Sequence, residues 1–548
     1  MMKHRLAPKQ LSRPHNPSTA AVNIIGAGLA GLSVALTLAK QGVRCRLIAP
    51  MPSERAQSVM AEGGINASLD TMGEHDSPQE HFDDTMKGGV YLADQNAVWG
   101  LCSHAPEIVK QLCALGAALK TKDGQPVLRN FGGQKKKRTA YAQSSTGKIL
   151  MTALIDAVRH YEADGTVWRY AHHRLYALDI RDNQCHGVQI LDRHSGTISL
   201  LPGAVILASG GMNSLFPGQT TGSTVNTGDV TAQAFVCGAE LANPEMIQFH
   251  PTTFAIPGKR CLVSEAARGE GGRLFTMRDG KKWYFMEEKY PSLGNLMPRD
   301  VVSREIEQIR QSAPGQAVFL DMTALERPVW HNKLSDLRQE CIDYLGQDPA
   351  TEPIEVSPGI HYYMGGLWVD ECHRTNIGGL YAAGECACQY HGANRLGGNS
   401  MLGAVYGGQV AAATAAAECQ GAAEGQEQII GCVPDAIMVP TAVPNEAAAV
   451  LCQALGIFRD GQTLTTAVKQ LETLIAQEND SLQRHRLLLG KAMLLGALHR
   501  QESRGAHTRT DCPAKEDALY RKTTIVHFDG DSMTVCFRPI PERRGDSG

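Results

Sequence analysis

Residues 21–32 read Ala-Val-Asn-Ile-Ile-Gly-Ala-Gly-Leu-Ala-Gly-Leu, an apolar run closed by Gly26, Gly28 and Gly31 in the spacing G-x-G-x-x-G. The run ahead of Gly26 suits a buried strand, and Leu29, Leu32, Val34, Leu36 and Leu38 then carry a helical pattern. A second apolar strand, Arg44 to Ala49, follows Gly42. Strand, tight turn, helix and strand predict a βαβ unit of a parallel sheet, which binds ligands at its strand C-termini. Glycines at these three positions permit the turn and let a pyrophosphate approach backbone N–H groups at the helix N-terminus. The second strand ends in Ala49 and Pro50, where a ribose-binding carboxylate would stand, so the unit reads weakly against NAD.

Outward from this unit, a helical stretch holds Met151 to Tyr161, strands and hairpins run from Val167 to Leu201, and Gly203–Gly211 reads as a buried strand. Between roughly Val230 and Val356 the texture changes to more aromatic residues, loops and charges, before the sheet-like segments at 365–370 and 378–385 return. An inserted domain explains the interruption. The expected layout is a disordered leader at 1–20, a Rossmann-like α/β domain at 21–229 and 357–420, and an inserted α+β domain at 230–356. A helical domain at 421–519 and a tail at 520–548 with a short strand pair complete it.

Composition sets limits on function. With a net charge of -3 the chain has no general field for nucleic acid, so anion recognition has to be local. Fifteen cysteines lack any C-x-x-C or C-x-x-C-H, so no iron–sulfur, haem or disulfide framework is signalled, and reduced thiols in cytoplasm fit best. Cys386, Cys388 and His391 are too few for a structural zinc, and no metal is expected. The leader has no apolar core of a secretory signal. The longest apolar stretch, near Gly403 to Ala417, contains Gln409 and is shorter than the ~20 residues that span a bilayer, so no direct membrane insertion is expected.

A series of segments extends the opening motif: Ala-Glu-Gly-Gly-Ile-Asn-Ala from Ala61, Phe-Gly-Gly-Gln from Phe131, Ala-Ser-Gly-Gly from Ala208, Asn-Thr-Gly-Asp from Asn226 and Gln-Phe-His-Pro-Thr from Gln248. Further segments are Ser-Glu-Ala-Ala-Arg-Gly-Glu-Gly-Gly from Ser264, Pro-Arg-Asp from Pro298, His-Tyr-Tyr-Met-Gly-Gly from His361, His-Gly-Ala-Asn-Arg from His391 and Glu-Ser-Arg-Gly-Ala-His from Glu502. Together they resemble the flavoprotein subunit family of succinate dehydrogenase and fumarate reductase, which also includes L-aspartate oxidase. The resemblance covers roughly residues 20 to 510. It implies a FAD domain, an inserted capping domain that closes over substrate and a C-terminal helical domain.

The implied chemistry is hydride transfer between flavin N5 and a C4 dicarboxylate. Cofactor contacts are expected from Gly26, Gly28, Gly31, Gly63, Gly64 and Asp229, from Glu385 beside the ribityl chain, and from Asn399, Ser400 and Met401 at a second helix start. His250, Ser264, His361 and Arg395 match the family's substrate-binding positions, and Arg395 offers a planar fork for a carboxylate. Arg299 resembles the family's proton donor, and Glu265 and Arg268 resemble the relay that would reprotonate it.

Where membrane-bound members bond FAD covalently through a histidine before the Ala-Glu-Gly-Gly segment, this chain has Gln57. Dissociable FAD is therefore expected, with a lowered flavin potential that favours fumarate reduction. L-aspartate oxidase is the rival reading, but Phe131 stands in the loop where its specificity glutamate would lie and offers no charge to an ammonium group. An electron-transfer or assembly subunit with a vestigial site is the rival of another class. The Lys135–Arg138 basic run is expected near the cofactor or a partner. An iron–sulfur electron-transfer subunit is the expected partner, reaching the inner membrane only peripherally.

Overall fold

The computed structural model describes residues 19–142, 145–419, 425–433 and 442–543. The leader up to residue 18 lies outside them. Thr19–Ala20, assigned by composition to that leader, instead form a short strand antiparallel to Gly425–Gln426, which gives their backbone groups partners beside the main sheet.

Five parallel strands make the central sheet, in the order Leu380–Ala382, Ala204–Leu207, Val22–Ile25, Cys45–Ala49 and Val167–Ala171. Val22–Ile25 and Cys45–Ala49 are buried along their whole length, as expected where both faces of a parallel sheet are covered. The helix Leu29–Lys40 lies on one face and packs against the Ala-rich helix Asn399–Glu418. A Cβ on Gly408 would stand 2.6 Å from the Ala30 carbonyl oxygen, so only glycine lets these helices approach so closely. A four-stranded antiparallel sheet, His173–Arg181, Gln184–Asp192, Thr197–Pro202 and Gln428–Cys432, leans over the end of the parallel one. Its last strand falls in the region expected to be helical; the helices start only at Asn445.

The inserted unit is built on a six-stranded antiparallel sheet in the order Lys259–Leu262, Ile247–Ile256, Ile354–Tyr363, Val318–Asp321, Arg273–Arg278 and Lys281–Trp283. It has its own core, from Phe254 to Val356. The helix Asp229–Val236 and strand Leu241–Ala242 precede this core and pack instead with the nucleotide-side core through Ala232, Phe235 and Leu241.

Helices Asn445–Ala454, Gly461–Gln477 and Ser481–His499 follow, then a hairpin of Lys522–Phe528 and Met533–Pro539 whose first strand pairs with Leu241–Ala242. Between helix and hairpin sits a fully buried ion cluster. Arg500 donates to Glu245 at 2.7 Å and to Glu502 at 2.8 Å, and Arg504 donates to Glu502 at 2.7 Å. Glu245 lies in the chain leading into the inserted unit, so paired charges hold that lead to the C-terminal region. Among the described residues no helix is long and apolar enough to cross a membrane.

Candidate active site

A cavity of about 620 Å³ runs from the C-terminal ends of Val22–Ile25 and Cys45–Ala49 to the inserted unit. At the nucleotide end Gly26 adopts φ +119°, and a Cβ there would lie 2.1 Å from the Ala208 carbonyl oxygen. Gly28 precedes the helix and lines the cavity. Gly31 does not line it: a Cβ there would sit 1.8 Å from the Gly26 carbonyl oxygen, so this glycine lets helix and turn touch. A Cβ on Gly63 would meet the Phe131 ring at 3.5 Å, and Gly64 has φ +139° with no space for a side chain against Thr139. A narrow trough floored by bare backbone fits the diphosphate and ring edge of FAD.

Asp229 opens a helix and lines the cavity while its carboxylate receives Arg486, with one contact at 2.9 Å. Glu385 also lines it; burial pushes its carboxyl up to about 7, against the pull of the Tyr363 N–H at 3.1 Å and of Arg395. Ser400 and Met401 are in the wall. Asn399 is not. Its carbonyl oxygen takes the Asn66 amide at 2.7 Å and pairs with His81 at 3.0 Å, and its amide donates to Thr85 at 3.0 Å. The need to satisfy a fully buried amide turns the side chain toward Asn66, His81 and Thr85, away from the cavity wall. Gln57 lines the cavity and accepts from the Ser223 N–H.

At the opposite end His250, Ser264, Glu265, Arg299, His361, Arg395 and Phe131 share one wall system. Arg299, first residue of the helix Arg299–Ser312, donates twice to Glu265 and once to Gln248, the last at 3.2 Å. Burial would raise the Glu265 carboxyl, but Arg299, Arg268 and hydrogen bonds from Arg299 and Gly132 outweigh it and hold it at about 2. Arg268 stands behind the wall, donating to the Asn295 carbonyl at 2.6 Å and lying 3.9 Å from Glu265.

The His250 and His361 rings are 5.2 Å apart, and Thr221 bonds Nδ1 of His361 at 2.8 Å. Burial first, then the neighbouring arginines, push both well below the ordinary histidine value, so both are neutral at pH 7. Arg395 lies over the Tyr362 ring at 4.6 Å, and its buried Nε has no hydrogen-bond partner among the described residues. Arg299 and Arg395 thus face one cavity with Glu265 as the near carboxylate, an arrangement that receives an anion with two charged ends.

Two participants escaped the sequence reading. Glu62 lines the cavity, and burial, then Glu340, pushes its carboxyl up to about 8, with Arg129 and the Ser264 hydroxyl opposing. Its position immediately before Gly63–Gly64 was the available signal. Gln248 ties Arg299 to the other arginine, donating to Asn394 at 3.0 Å and to the Arg395 carbonyl at 2.8 Å. The basic run, expected near cofactor or partner, has a structural use: Arg138 is buried between Asp76 and Asp84, each at 2.9 Å, and Lys137 pairs with Glu74 at 3.2 Å. Among the described residues no cluster of three or more His, Cys, Asp or Glu could hold a metal ion.

Two family descriptions match: the FAD binding domain over residues 22–401 and the fumarate reductase flavoprotein C-terminus over 482–543. The chain is 38% identical to the succinate dehydrogenase flavoprotein subunit of Bacillus subtilis, over 93% of this chain and 94% of that one. It is 33% identical to L-aspartate oxidase of Streptomyces coelicolor, over 95% and 94%. A quinol-fumarate reductase structure with menaquinol molecules superposes with a TM-score of 0.85 at 28% identity, over 96% and 98%. With its trough for FAD and its paired arginines, the chain belongs to the FAD-dependent oxidoreductase family of succinate dehydrogenase and fumarate reductase flavoproteins.

Proposed function

We propose that this chain is the flavoprotein subunit of a fumarate reductase that binds a C4 dicarboxylate between the FAD domain and the inserted capping unit. The observation that carries this reading is the pair Arg299 and Arg395 on one cavity wall, joined through Gln248. One carboxylate of the substrate is held by Arg395, with His250, His361 and Ser264 as neutral hydrogen-bonding groups and Phe131 as an apolar wall. FAD, when bound, supplies hydride chemistry at the central carbons. Neutral histidines polarise the held carboxylate without competing as acids. Arg299 delivers a proton to the carbon opposite, where a carbanion-like centre is basic enough to take it. Glu265, ionised at rest, then takes a proton from Arg268 behind the wall and passes it to the deprotonated Arg299, and Arg268 is reprotonated from solvent.

Gln57 has no imidazole to bond FAD, which supports a dissociable cofactor. The electrons come from another protein, an iron–sulfur subunit, and the complex sits in the cytoplasm, peripheral to the inner membrane through that partner. Phe131, 3% exposed and in the cavity wall, disfavours the oxidase reading because it gives an ammonium group no partner.

Acid precipitation of the purified protein and anaerobic reoxidation of the dithionite-reduced enzyme test the proposal. Released FAD and rapid fumarate-dependent reoxidation are expected. Flavin that is reduced by aspartate and ignores fumarate would replace this reading with the oxidase, and no response to either would indicate a vestigial site.

A further inference from the structure

The adenosine end of the cavity departs from the usual dinucleotide pattern in a way that identifies a binding residue. The strand Cys45–Ala49 ends at Pro50 without a carboxylate to accept a ribose hydroxyl. Instead, the antiparallel sheet that leans over this end places two guanidinium groups in the wall, Arg174 and Arg193. Arg193 reaches the Pro50 carbonyl oxygen at 3.4 Å, at the point where the strand ends.

Arg174 carries the argument. Its Nε is buried and has no hydrogen-bond partner among the described residues. Burial pulls the group below the ordinary arginine value, with Asp229 opposing, so the site holds the cation at a cost. Asp229, the carboxylate in this part of the wall, is already engaged by Arg486. A buried donor left without an acceptor is unfavourable until a ligand supplies one, and a guanidinium donates best to charged or multiply oxygenated acceptors.

We propose that Arg174 binds the adenosyl half of FAD, donating to its ribose and diphosphate oxygens, with Arg193 as a second cation at the strand end. Recognition at this end thus runs through a cation where a carboxylate is usual. The dinucleotide's own negative charge, and not its hydroxyl protons, is what the wall reads. The inference concerns cofactor retention and stands apart from the choice of substrate.

The test uses the full chain purified as apoprotein from riboflavin-starved cells, so that it does not depend on how flavin is attached. ADP and FMN are titrated separately by calorimetry into the original protein, Arg174→Ala and Arg174→Lys. The expected result is an ADP affinity about tenfold weaker in R174A, intermediate in R174K, with FMN affinity unchanged in both. An ADP loss smaller than about threefold, a parallel loss of ADP and FMN, or an original apoprotein that ignores ADP would each overturn the proposal. Should R174A fail to fold, R174K decides by the same comparison. Failure of fumarate to reoxidise the original holoenzyme would count against the proposed substrate and leave the ADP result standing.

Discussion

Arg299 reaches the same oxygen of Glu265 with two nitrogens, Nε at 2.9 Å and Nη2 at 2.7 Å, while the other Glu265 oxygen takes the Gly132 N–H at 2.8 Å. The carboxylate is nearly saturated with donors, and the guanidinium is held edge-on at the start of its helix. Lysine can supply the charge but not this two-point grip. Arg299→Lys should therefore lower the fumarate reduction rate by about 10² to 10⁴-fold, with FAD content and flavin potential unchanged. Stopped-flow reoxidation of the reduced protein measures it.

Glu265 also makes a prediction about stability. Its folded carboxyl, at about 2, is depressed from an ordinary value of 4.5. The stabilisation is present above about pH 4.5 and is lost as pH falls toward 2. Denaturant titrations across that window should show a steep loss in the original protein and a flatter one in Glu265→Gln. The variant should already be weaker at pH 7, because Arg299 and Arg268 lose their buried counter-charge.

The two site histidines should leave no mark on the acid side of the pH profile. Both are held well below 6.5 by burial and neighbouring arginines, so they stay neutral as pH drops through 6.5. kcat/KM for fumarate should be flat there. An inflection near 6.5 that vanishes in His361→Gln would show that His361 titrates after all.

Glu62 acts at the other end of the pH scale. With a carboxyl at about 8, raised mainly by burial, it is uncharged at pH 7 and becomes an anion beside Ser264 above pH 8. KM for a dicarboxylate should rise as pH passes 8, and Glu62→Gln should abolish the rise. The same shift stabilises the fold below pH 4.5, and that contribution is lost as pH climbs through 8.

The parallel sheet was legible in the sequence because Ala21–Ile25 and Arg44–Ala49 are short, mostly apolar runs, broken only by Asn23, Arg44 and Arg46, around glycines with one structural use. The reactive cluster was legible because each member sits inside a distinctive segment. Asn399 and Arg268 show the limit: both lie in such segments, yet whether a side chain faces the ligand or braces the turn behind it depends on contacts from distant residues, Asn66 and Asn295. Arg174 had no local signal at all, since its importance comes from what Pro50 and Asp229 leave undone across the cavity. The strand at Gln428–Cys432 was hidden for a similar reason, because its pairing with Thr197–Pro202 lies far away in sequence.

The pairing of Glu245 with Arg500 bears on the order in which the molecule is made. The inserted unit, with its own core ending at Val356, is complete long before Arg500 leaves the ribosome. Until then Glu245 lacks its guanidinium partner, and the chain leading into the unit is held by the pairing of Leu241–Ala242 with Gly366–Leu367 and by the packing of Ala232, Phe235 and Leu241 alone. A chain interrupted before residue 500 would therefore keep the inserted unit and its pairing to Gly366–Leu367 but lack the last ionic tie on the lead into it.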